Sequence, residues 1–404
     1  MIKVLGGLNC MNLDKTNCGV NIVLTHGDMD GLVAAGILTR FINSLQEEDL
    51  SIMSDRFVVV ASLAPQPDET DKMLHVACKY MGISVKDLDE KDSIWILDRT
   101  NFSNRMIAEL SELEFQPDLY IADHHISSVD RHNEVFDNKA FNGVCKVLKT
   151  SIDNCGTSNT VDLLDELCSR FNFSEQLMIS WSNAKIGLND LVRAVNDWDT
   201  FRWKKYITDT SRVEDALIVQ SCDKILGSSV AWINIADSIR YASAYISALE
   251  SLKNRCGHLA YSVFRHKLHD FQEIVDVKID KSMLRCKYGE SDVVISIMFG
   301  MEEFQSMLSD YIFENYECID IVLWINNSGT ISIRSRDESP VASNEVATKV
   351  SEYAGFSGGG HKNAAGGRIK SIDVIRDELL EIVYWGLVSA GIKPQGDVSL
   401  KDII

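Results

Sequence analysis

Four short clusters of carboxylates and imidazoles lie along this chain: Thr25-His26-Gly27-Asp28-Met29-Asp30-Gly31, then Asp98, then Asp123-His124-His125, then Asp197-Trp198-Asp199. Their common chemistry is ligation of a divalent cation. In His26-x-Asp28-x-Asp30, alternate residues leaving a strand end can point into one pocket, and Gly27 is expected to let the backbone turn. Ligands packed so closely are costly without a cation. A mixed carboxylate and imidazole set suits Mn²⁺ first, with Mg²⁺ or Co²⁺ as alternatives. Each cluster alone has a plainer reading. Asp and Gly after a strand are ordinary turn residues. Asp98 can cap a helix begun by Thr100-Asn101-Phe102-Ser103, and Asp123-His124-His125 can be a polar loop. Their order favours a shared site, because the first three each follow a short apolar run.

Those runs define the elements that must position the clusters. Strand-like segments at 21–25, 57–63, 93–97 and 118–122 are separated by helical patterns such as 32–45 and 104–113. Strand and helix alternate, which predicts a parallel sheet with helices on both faces. Ligands of such sheets sit at the carboxyl ends of strands, where His26, Asp98 and Asp123 fall. A more helical stretch follows from 161 to about 271, with long amphipathic segments such as 230–252. Strand signals return at 293–299, 319–325 and 330–334, and helical patterns at 344–354 and 372–390 complete a second α/β unit.

Composition bounds the class. A chain of 404 residues with 45% hydrophobic and 25% charged residues suits two globular domains. No apolar run approaches the ~20 residues of a membrane span. The first twenty residues have one early lysine and no long apolar core, so they read as no secretory signal, and a cytoplasmic protein without a membrane partner is expected. The ten cysteines include no Cys-x-x-Cys pair, which points to reduced thiols rather than structural zinc. A net charge of −19 repels polyanions and argues against a long-duplex nucleic-acid partner, while leaving room for a short nucleotide held locally.

A second group of motifs lies near the C-terminus. Gly358-Gly359-Gly360 is expected to offer backbone N–H groups to an anion, with His361 and Lys362 adding donors and charge. About twenty residues earlier runs Ile331-Ser332-Ile333-Arg334-Ser335-Arg336, and arginine grips phosphate through its planar fork. A glycine-rich loop alone is also a flexible turn. Followed by Asn363-Ala364-Ala365-Gly366-Gly367, and preceded by the three metal-type motifs, it resembles the DHH phosphoesterase superfamily with a C-terminal DHHA1 substrate-binding domain, over nearly the whole chain.

The resemblance implies a fold and a division of labour. The fold is α/β: an N-terminal parallel-sheet DHH catalytic domain at 1–225, a helical connector at 226–280 and a smaller α/β DHHA1 domain at 281–404, with a cleft between the two. It implies two divalent ions, with His26, Asp28 and Asp98 on one, and Asp30, Asp98, His124 and a fourth-motif aspartate on the other. Asp98 would bridge. For the fourth motif, the aromatic tail favours Asp197 and the Asp-Thr pair favours Asp199; we lean to Asp197. Asp123 would orient a histidine ligand, and His125 would face the scissile phosphate. Arg334, Arg336, Gly358, Gly359, Gly360, His361 and Lys362 would bind substrate. Within the superfamily the pattern is most similar to the nano-RNase (oligoribonuclease) branch, which implies Mn²⁺-dependent hydrolysis of short RNA to monophosphates, with a related phosphatase activity on 3′,5′-bisphosphorylated nucleotides. A cyclic-dinucleotide phosphodiesterase is the alternative, and a RecJ-like single-strand DNA exonuclease is third. A homodimer is left open.

Overall fold

The computed structural model describes residues 3–6, 19–62, 67–99, 102–125, 145–148, 154–205, 207–226, 242–302, 304–326, 329–356, 358–369 and 376–395. Most of 1–20, the first part of 230–252, and Thr100 and Asn101 lie outside them. The chain divides into two compact units, Met1–Tyr261 and Ser262–Ile404. One helix, Ala242–Ser282, runs across that boundary, over much of the stretch expected as a connector.

The N-terminal unit is built on six strands: β1 Lys3–Gly6, β2 Asn21–His26, β3 Phe57–Ser62, β4 Ser93–Leu97, β5 Asp118–Ala122 and β6 Cys145–Leu148. They form one sheet in the order β1-β3-β2-β4-β5-β6. β1 is antiparallel to β3, and the other pairings are parallel. The central strands are apolar at nearly every position because helices cover both faces. Val23, Val59, Trp95, Leu97 and Tyr120 face one core, shared with α1 (Met29–Ile42) and helices Gly156–Arg170 and Glu175–Asp199. Ile22, Leu24, Val58, Ile94, Ile96 and Ile121 face the other, shared with α2 (Pro67–Tyr80) and α3 (Asn104–Ser111). β2 lies between β3 and β4, so the order of connections reverses there. That is the crevice where open α/β sheets hold ligands.

The C-terminal unit has seven strands: β7 Met283–Tyr288, β8 Ser291–Phe299, β9 Ile321–Ile325, β10 Thr330–Ser335, β11 Gly358–Gly360, β12 Ala364–Arg368 and β13 Ile392–Pro394. Their order is β11-β12-β10-β9-β8-β7-β13. Among the described pairings of this sheet, β8 with β9 is the parallel one. Helices Ser343–Tyr353 and Arg376–Ser389 cover one face through Val346, Val350, Leu380 and Val383. Leu308, Ile312 and the later part of the long helix, through Phe264, Val275 and Ile279, cover the other around Trp324. Both units are α/β, as the alternation of patterns predicted. No described helix is long and apolar enough to cross a membrane.

Candidate metal centre

The ends of β2, β4 and β5 meet at one place. His26 ends β2, and its Nδ1 lies 2.8 Å from Asp28 Oδ2 and 3.8 Å from Asp98 Oδ2. Asp28 is the N-cap of α1, where its carboxylate accepts from Gly31 N at 3.1 Å. Burial alone would raise the Asp28 pKa, but the His26 charge and hydrogen bond and the Gly31 N–H outweigh it and hold it low. Gly27 is not among the left-handed glycines of the described residues. The glycine this turn requires is Gly31, where a Cβ would lie 2.5 Å from His26 O.

Asp30 is buried in the first turn of α1. Its two oxygens accept from Gly156 N at 2.7 Å and Thr157 N at 2.8 Å, the first amides of helix Gly156–Arg170. A helix N-terminus suits a carboxylate because its amides have no intrahelical acceptor. Sequence reasoning missed both residues. Gly156 also admits Asp98, since a Cβ there would stand 2.4 Å from Asp98 Cβ.

Asp98 follows β4 with φ of 54°, a left-handed conformation that is uncommon outside glycine. The cap of α3 is Ser103, whose hydroxyl accepts from Met106 N, so Asp98 is not a helix cap. Asp98 Oδ1 is buried with no hydrogen-bond partner among the described residues, and stands 3.3 Å from His124 Nε2. His124 Nε2 is in turn 3.2 Å from Asp199 Oδ2 and 3.9 Å from Asp30 Oδ2. Burial pushes the Asp98 carboxyl well up, and the charges of Asp30, Asp28, Asp199 and Asp123 add to it. Asp199 is raised for the same reasons, burial first and then Asp30 and Asp28.

Three groups of potential ligands result: His26, Asp28 and Asp98; Asp30, His124 and Asp199; and Asp98, His124 and His125. Asp98 belongs to two of them. Atoms ~2.1 Å from a common ion lie about 3 Å apart, close to the separations observed. An orphaned buried carboxylate oxygen among four carboxylates is what a divalent cation would satisfy, so the residues fit a metal.

The fourth motif departs from the reading that favoured Asp197. Asp197 and Asp199 both lie on helix Glu175–Asp199, and two residues along a helix turn side chains ~200° apart. Only one can face the cluster, and it is Asp199. Asp197 is bound by Arg212, with Nη2 at 2.7 Å from both of its oxygens. Asp123 also has a more definite task than expected. Its Oδ1 lies 2.7 Å from His125 Nδ1 and accepts from His124 N at 2.8 Å, so it fixes the His125 ring and the backbone of both histidines. Asp123 and its hydrogen bond raise the His125 pKa against the lowering effect of burial.

The C-terminal motif is partly scaffold. Gly358–Gly360 forms edge strand β11, paired with β12. Gly358 is pressed against helix Ser343–Tyr353, where a Cβ would lie 2.2 Å from Ala347 O. A Cβ at Gly359 would meet nothing within 4 Å, so of the three glycines that position alone has room for a side chain. His361 and Lys362 are exposed at the following turn. Arg334 Nε is buried with no hydrogen-bond partner among the described residues, while its Nη1 donates to Ser332 Oγ at 3.3 Å and to Ile333 O at 3.1 Å. Arg336 is engaged within its own unit. Its Nε donates to Ile319 O at 2.6 Å and its Nη2 to Phe313 O and Tyr316 O at 2.6 and 3.0 Å. It thereby caps the carbonyls ending helix Gln305–Asn315, a strong use of a cation.

Residues 301–384 match the family model of the DHHA1 domain. No curated protein matches the chain. Among solved structures it is similar to an exonuclease RecJ bound to manganese, at 14% identity over 95% of this chain and 93% of that one, with a TM-score of 0.47. It is also similar to RecJ from Thermus thermophilus in complex with Mn²⁺, at 14% identity over 92% of this chain and 57% of the other, with a TM-score of 0.45. An uncharacterized protein from Helicobacter pylori G27 gives 15% identity over 91% and 99%, with a TM-score of 0.34. The match lies within the C-terminal unit and covers the DHHA1 part of the resemblance.

Proposed function

We infer that this protein is a divalent-metal phosphodiesterase that hydrolyses short RNA oligonucleotides to nucleoside monophosphates. The observation that carries the reading is the meeting of two ligand groups at one buried carboxylate, Asp98, whose Oδ1 has no hydrogen-bond partner among the described residues. His26, Asp28 and Asp98 would hold one ion. Asp30, Asp98, His124 and Asp199 would hold the second, with Asp199 in place of Asp197. Two such ions supply an activated water and neutralise phosphoryl charge during in-line attack.

The chain's own residues do the rest. Asp123 accepts from His125 Nδ1, which sets the ring so that Nε2 would donate to a phosphate oxygen. The amides of Gly156 and Thr157 hold Asp30 in place. In the C-terminal unit, Arg334, His361, Lys362 and the Gly359 backbone would bind anionic groups of the substrate. The preference for short substrates is supported by the net charge of −19, since a few phosphates suffer little long-range repulsion at physiological salt. A 3′,5′-bisphosphorylated nucleotide is a further candidate substrate of the same metal centre.

The test is a product ladder from end-labelled RNA of two to 24 nucleotides, with cyclic di-AMP and 3′,5′-bisphosphorylated adenosine alongside. The reading expects rapid loss of two- to five-mers, a nearly untouched 24-mer, and recovery after chelation that is better with Mn²⁺ than with Mg²⁺. Preferential opening of the cyclic dinucleotide would move the substrate to second messengers, and digestion of the 24-mer would favour a RecJ-like exonuclease. No turnover and no Mn²⁺ binding by calorimetry would mean a nucleotide-binding protein without catalysis.

A further inference from the structure

The residue after Asp98 is an arginine whose side chain is wholly buried. We propose that Arg99 is a positioning residue for the metal centre, tying the Asp98 turn to the carbonyls that end β2 and β3 and so setting the His26–Asp28–Asp98 group. The proposal rests on the metal-centre reading above.

The left-handed backbone at Asp98 persists only if its surroundings over-determine it. One anchor is on the β5 side, where Asp98 N donates to Ala122 O at 2.7 Å. The other is Arg99. Its Nε donates to Thr70 Oγ1 at 3.0 Å and its Nη1 to Thr25 O at 3.2 Å, with Ser62 O at 3.5 Å. Thr25 immediately precedes His26, and Ser62 O also accepts from Gly27 N at 3.0 Å. One guanidinium therefore spans the first two metal motifs and the start of α2.

A purely electrostatic role makes the opposite prediction. Burial lowers the Arg99 pKa to about 10, against the pull of Glu69, Asp98 and Asp123, so it stays a cation at neutral pH. A cation beside a cation site opposes metal binding. If charge were all that Arg99 contributed, its removal would tighten Mn²⁺. If it sets geometry, removal loosens Mn²⁺, and lysine does not rescue it because an ammonium lacks the planar fork.

The experiment is calorimetric titration of the full chain with Mn²⁺ for wild type, Arg99→Gln, Arg99→Lys and Thr70→Val, with melting of each metal-free protein as the folding control. Groups that orient ligands from behind typically change metal affinity by about 10–100-fold. We expect that loss in one of two equivalents for both Arg99 variants, with the other equivalent little changed, and a smaller loss of the same equivalent for Thr70→Val. Folded Arg99 variants that bind as tightly as wild type, or more tightly, overturn the proposal while leaving the metal centre intact. If the Arg99 variants do not fold, Thr70→Val decides, and unchanged affinity overturns it. A wild-type chain that binds no Mn²⁺ overturns both this proposal and the metal-centre reading.

Discussion

In the N-terminal unit three strand ends, the first turn of one helix and the last turn of another deliver side chains to a single point. In the C-terminal unit the glycine motif runs along one edge strand and its turn, and much of it holds the unit together. Asp30 is held by two helix amides and His125 by Asp123, whereas Gly358 and Arg336 meet their own scaffold. The difference is one of geometry. Parallel strands bring distant segments to a common edge, so each contributes one residue and the rest of each motif is turn chemistry. A hairpin keeps its residues in line, and alternate positions must face the helix that packs on it.

The largest effect should come from the shared carboxylate. Asp98→Asn should abolish Mn²⁺-dependent turnover of a dinucleotide, because a neutral amide with one oxygen cannot serve two ions as a carboxylate can, while the metal-free protein should melt no lower than wild type, since burial already disfavours the charged carboxylate there. By contrast, His361→Ala should raise KM about tenfold with little change in kcat, the sign of lost binding outside the chemistry. Retained turnover in the first, or a pure kcat loss in the second, would erase the distinction between the two regions.

The fourth motif offers a sharper test within the N-terminal unit. Asp199→Asn should cut turnover by about a hundredfold or more, whereas Asp197→Asn should mainly cost about 2–3 kcal/mol of stability in urea unfolding. That figure sits at or below the fully buried range because the Arg212 side chain is 32% exposed. Similar kinetic losses from both would return Asp197 to the metal.

The smallest effects separate scaffold from open backbone in the glycine run. Gly358→Ala should cost about 1–3 kcal/mol by overpacking against Ala347, while Gly359→Ala should stay within about 0.5 kcal/mol of wild type. If Gly359→Ala nevertheless raises KM, its backbone approaches the substrate. If both are neutral in stability, helix Ser343–Tyr353 does not press on the strand as described.

Much of this was legible beforehand because it is local. Strand-like runs of five to seven residues marked β2, β3, β4 and β5 almost to the residue, and the polar residues that follow β2, β4 and β5 marked the crevice. Spacing of two along His26, Asp28 and Asp30 was enough to suggest a common pocket. Arg99 and Arg336 were misjudged or passed over because an arginine looks the same in sequence whether it meets a phosphate or the carbonyls ending a strand or helix. Gly156 and Thr157 precede the helical stretch read from 161, and nothing in the sequence tied them to Asp30, 126 residues before Gly156.

By itself, the amino-acid sequence determined the strand–helix alternation, the kinds of groups that gather at the strand ends and the cation chemistry they imply, since periodicity and residue type are properties of the chain. Only the tertiary structure turned Asp199 toward the cluster and Asp197 toward Arg212, gave Asp98 its left-handed turn, and brought Arg336 to a helix end. Those outcomes depend on which face of a helix or strand meets which neighbour, and that is set by packing across the fold rather than by any one segment.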